Sequence, residues 1–97
     1  MKYISIEQLL FAVHRKALTV CSVTSDCVHG FSTDSADCSW YEDDAVISDP
    51  RSKAYLAIDP KGLIGIEKSC LSDGIEYEVH TNNSIITIDV FKKGGDM

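Results

Sequence analysis

From residue 54 onward the chain alternates apolar and polar side chains in short runs separated by turn residues. A period of two is the strand period, so this pattern constrains the fold more than any other feature. The runs cover residues 54–58, 63–70, 75–80 and 85–91. Asp59-Pro60-Lys61-Gly62 reads as a type I turn, and turn signals recur at Ser72-Asp73-Gly74 and Thr81-Asn82-Asn83-Ser84. The expectation is an antiparallel β-meander. Alternation assigns its faces: Leu56, Ile58, Ile64, Ile66, Ile75, Tyr77, Val79, Ile86, Ile88 and Val90 inward, and Glu67, Glu76, Glu78, His80, Thr87 and Asp89 outward. The outer face is therefore acidic, with Glu76 and Glu78 about 7 Å apart along one strand.

Residues 5–17 predict a helix to cover the inner face. Ser5 and Gln8 form a capping-box pattern, and Ile4 with Leu9 occupies the staple positions. Ile6, Leu9, Leu10, Val13 and Ala17 draw one apolar stripe at helical spacing. Residues 18–24 are rich in β-branched side chains and predict a strand. Residues 27–31 suggest a second, short one, weakened by Gly30. The fold class is thus α+β: an N-terminal helix packed on an antiparallel sheet, with a C-terminal meander of three to four strands and one or two N-terminal strands. Ninety-seven residues make one domain, 1–97.

Charge narrows the function. Fifteen Asp and Glu against nine Lys and Arg give a formal net charge of −6. Direct binding to nucleic acid needs a basic footprint and is disfavoured, and an acidic membrane surface would repel the chain. A basic protein groove would attract it. No apolar run is long enough to span a bilayer. The apolar segment near the N-terminus is interrupted by Glu7-Gln8 and followed by His14-Arg15-Lys16, which does not fit a secretory signal. A cytoplasmic protein is expected. Cys21, Cys27, Cys38 and Cys70 then read as reduced thiols, and their spacing lacks the close pairs of zinc ribbons and fingers.

Residues 32–49 carry the densest charge. Asp34, Asp37, Glu42, Asp43, Asp44 and Asp49 fall there with no Lys or Arg, around Trp40-Tyr41. This reads as a surface loop, with room for one helical turn near residues 35–41 and a turn or helix start at Asp49-Pro50. It is either a solvated loop or a surface offered to a basic partner, with charges steering and aromatics anchoring.

Reaction chemistry is not apparent. Cys27 or Cys38 with His29 or His80 has no flanking motif, and the sequence has no G-x-S-x-G, Walker loop, G-x-G-x-x-G or H-E-x-x-H. Glu42, Asp43 and Asp44 with Asp37 lack the EF-hand spacing. No catalytic residue, cofactor or metal is assigned.

A small acidic domain without chemistry suggests inhibition by occupation. The short length, the Met1 start without a signal, the acids from Asp34 to Asp44 and the acidic sheet face resemble the small acidic phage-encoded anti-CRISPR proteins that mimic DNA against type I surveillance complexes. That resemblance implies a non-enzymatic inhibitor, working as a monomer in the bacterial cytoplasm. Its partner would be a basic nucleic-acid-binding protein surface, the part that senses the PAM. Charge placement makes Asp34, Asp37, Trp40, Tyr41, Glu42, Asp43, Asp44, Asp49, Glu76 and Glu78 the expected contacts. An immunity-type inhibitor of a nuclease toxin and a small metal or cysteine enzyme are the alternatives.

Overall fold

The computed structural model describes residues 2–91. Strand β1 (Lys2–Tyr3) precedes helix α1 (Ile6–Val13), and β2 (Leu18–Thr24) and β3 (Val28–Thr33) follow as a hairpin. Next come β4 (Asp37–Tyr41), β5 (Asp44–Ser48) and β6 (Tyr55–Ile58). A short 3₁₀ turn at Pro60–Gly62 leads into β7 (Leu63–Leu71), β8 (Gly74–Thr81) and β9 (Ser84–Phe91). Two antiparallel sheets result: six strands in the order β1-β7-β8-β9-β2-β3, and three in the order β4-β5-β6. The α+β class with an N-terminal helix on a sheet is as expected.

The helix starts where the sequence places it. Ser5 Oγ accepts from the Gln8 amide at 3.1 Å, and the Ser5 amide donates to Gln8 Oε1 at 2.9 Å. Such a cap contributes about 1 kcal/mol. Eight residues do not hold a helix alone, so burial of Ile6, Leu9, Leu10 and Val13 must do so. The end comes earlier than the predicted residue 17. Arg15 takes a left-handed φ of 65°, and the backbone then turns to Ala36: Arg15 N–H donates to Ala36 O at 2.7 Å, and Ala36 N–H to Lys16 O at 2.9 Å. Ala17 therefore lies outside the helical stripe.

Two further expectations are corrected. The run at residues 55–58 leaves the meander and pairs with β5 instead of β7. Ile64, assigned to the inner face, is 74% exposed, because a register shift between Leu63 and Gly65 rotates it outward. Gly30 does not interrupt β3. A Cβ there would meet the Val20 carbonyl oxygen at 2.5 Å, so the close approach of β2 requires glycine.

One core joins the layers. Leu18, Val20, Ile66, Tyr77, Val79, Ile86 and Ile88 come from the large sheet, Ala45, Ile47, Leu56 and Ile58 from the small one, and the helix supplies its stripe. Both sheets turn their apolar faces to this cluster. Their polar faces consequently point away from each other, on opposite sides of the protein.

Candidate acidic surfaces

The stretch 32–49 is no loop. Its central part is the β4–β5 hairpin, closed by Glu42-Asp43, and the helical turn expected near residues 35–41 is a strand instead. Cys38 and Trp40 pair with Ile47 and Ala45, both fully buried, which places all four on one side of the hairpin, where Trp40 is still 48% exposed. Asp37, Tyr41 and Asp44 take the opposite face, with Tyr41 directly across from Asp44. Glu42 occupies the turn with a left-handed φ of 55°.

This separates the expected contacts. Trp40 and Tyr41 belong to opposite faces, so they do not form one aromatic anchor. Tyr41, 69% exposed, stands beside Glu42, Asp43 and Asp44, with Asp37 at the far end of β4. Asp34 faces a cation after all: Arg51 Nη1 donates to its Oδ2 at 3.3 Å between two exposed side chains, a pair of little energetic weight. Asp49 is corrected outright. Only 7% exposed, it accepts from Thr33 Oγ1 at 2.9 Å, Ser52 Oγ at 2.7 Å and the Ser52 amide at 3.2 Å. The hydrogen bonds from Ser52 and then Thr33 hold its carboxyl below the usual carboxylate range. Asp49 closes the turn after β5 and offers nothing to a partner.

The outer face of the large sheet carries directly opposed charge. Glu67 on β7 stands opposite Glu78 on β8, and Glu76 on β8 opposite Asp89 on β9. Directly opposed like charges destabilise a sheet. Partial burial, together with the charges of Asp89 and Glu78, raises the Glu76 carboxyl above its ordinary value. No Lys or Arg pairs with these four acids among the described residues. Their neighbours are Tyr3, whose hydroxyl donates to Glu67 Oε2 at 3.2 Å, and His80, whose Nε2 lies 2.8 Å from Glu78 Oε1. Glu67 and Asp89, named in the alternation but not among the expected contacts, thus belong to the surface. Pairing register brings them in, and register is not visible in a single strand.

Glu67, Glu78 and His80 also offer ligand atoms within 4.8 Å of one another, so they are the residues that could hold a cation. Cysteine chemistry finds less support. Burial, and then the neighbouring Asp37, pushes the Cys38 thiol up to about 11, which leaves it protonated and a poor nucleophile near neutral pH. His14, which the sequence did not single out, accepts the Cys38 amide at Nδ1 (3.1 Å) and ties the helix end to β4. Cys21, Cys27, Cys38 and Cys70 are free thiols, with Cys27 and Cys70 exposed. Among the described residues no helix is long and apolar enough to cross a membrane.

No protein-family model, characterised protein or solved structure matches this chain.

Proposed function

We propose that this protein is a non-enzymatic inhibitor whose acidic surface occupies the basic nucleic-acid-binding groove of a protein target. Its form of action is DNA mimicry, with target-DNA binding by a type I CRISPR surveillance complex as the process blocked. The observation that carries the reading is the opposed pairing of Glu67 with Glu78 and Glu76 with Asp89 across three neighbouring strands. A fold gains nothing by itself from facing carboxylates with no Lys or Arg paired to them. Lys and Arg arranged for phosphates would neutralise that row, and the release of repulsion would add to the attraction. The hairpin acids Asp37, Glu42, Asp43 and Asp44 with exposed Tyr41 form a second acidic surface across the core. The sheet face is the main contact because its acids oppose one another directly. The protein acts as a monomer in the bacterial cytoplasm, with neither nucleic acid nor membrane as a direct partner.

A competition titration tests this. Labelled duplex with a correct PAM is bound to a type I surveillance complex, and this protein is added at two salt concentrations. Displacement near one equivalent, weaker at higher salt, supports the reading. Undisturbed DNA binding without comigration removes the CRISPR target and favours a nuclease toxin, for which the same titration uses the nuclease.

A further inference from the structure

The helix and the small sheet leave one end of the large sheet's inner face open. There Ala12 and Lys16 face Cys70, Ile75, Tyr77 and Val90 across a groove of about 350 Å³. That volume and mainly apolar lining match a small-ligand site. Two polar groups break the lining. Lys16 has no carboxylate partner among the described residues, in a chain of net charge −6. Tyr77, 2% exposed, is the other. A buried phenol ordinarily finds an acceptor.

We infer that this groove binds a small amphiphile with one hydrocarbon body and one carboxylate, of the fatty-acid class. The apolar walls take the hydrocarbon, Lys16 draws the carboxylate, and the Tyr77 hydroxyl donates to it. The overall negative charge repels anions in general, so capture of a carboxylate here calls for a cation such as Lys16. The site lies on the core-facing side of the sheet, away from the acidic face, and does not rest on the inhibitor reading.

Amide shifts in NMR titrations with decanoate, below its micelle threshold, test the site, with decanol as the neutral probe. Saturable one-to-one binding is expected, with shifts concentrated at residues 12, 16, 70–77 and 90, and decanoate binding tighter than decanol. Lys16→Gln, at an exposed position, weakens decanoate about three- to tenfold and leaves decanol unchanged. Tyr77→Phe keeps the ring in the core and weakens decanoate as well. Equal affinity for the two probes, shifts scattered over the surface, or binding unmoved by Lys16→Gln would overturn the proposal. So would the same shifts arising on concentration without ligand, which would make the groove a contact between two copies of the chain.

Discussion

Glu76 and Asp89 stand directly across from each other on β8 and β9, and Glu78 follows Glu76 on the same face of β8. This carboxyl carries the strain of the acidic surface, because its raised proton affinity is set by partial burial, then by Asp89 and Glu78. A carboxyl that binds its proton more tightly folded than unfolded opposes folding above its folded pKa. That opposition fades as the pH falls through the folded pKa. Glu76→Gln should therefore stabilise the protein at pH 7, by about 0.2–1 kcal/mol, with the gain shrinking in mild acid. Urea melts of both proteins at several pH values check this.

Asp49 has the opposite sign. Its lowered carboxyl pKa contributes stability that is complete above the unfolded value and is lost as the pH falls through the folded one. Asp49→Asn should lower the melting temperature at pH 7, and the difference from the native protein should vanish in strong acid. Calorimetry across that range checks it. A constant difference at all pH values would show that the charge is not what matters.

How much of this was legible in the sequence differs by element. Residues 18–24 and the meander strands read correctly because alternation, β-branched side chains and turn residues agree there. The Ser5–Gln8 box likewise marked the helix start. Its end was hidden, because Arg15 adopts a left-handed φ without a glycine to announce it. The β4–β5 hairpin was hidden differently. Cys38, Trp40, Ala45 and Ile47 have strand alternation, but the surrounding acids outweighed it and Glu42-Asp43 is not a usual hairpin turn. Which sheet the run at residues 55–58 joins depends on long-range pairing that a local pattern does not encode. The acidic pairs of the site were half visible: the faces came from alternation, the partners only from register.

Thiol reactivity should follow exposure. Iodoacetamide near neutral pH is expected to label Cys27 and Cys70 readily, while Cys38, with its thiol pushed up to about 11, reacts after unfolding. Mass spectrometry of a time course reads the order. Rapid labelling of Cys38 in the folded protein would contradict its placement beside the core.

Gly30→Ala probes the β2–β3 contact. The added methyl would meet the Val20 oxygen at 2.5 Å, and backbone cannot yield cheaply. A loss of about 1–3 kcal/mol in a denaturant melt is expected, against a small gain if the edge strand were loosely paired.

Two charge-reversal variants separate the acidic surfaces in the DNA competition assay. Glu76→Lys with Glu78→Lys reverses charge on the sheet face, and Asp43→Lys with Asp44→Lys does so at the hairpin across the core. Circular dichroism first establishes that both fold. The sheet-face variant should no longer displace DNA, whereas the hairpin variant should lose only part of its potency. Full inhibition by the sheet-face variant would contradict this.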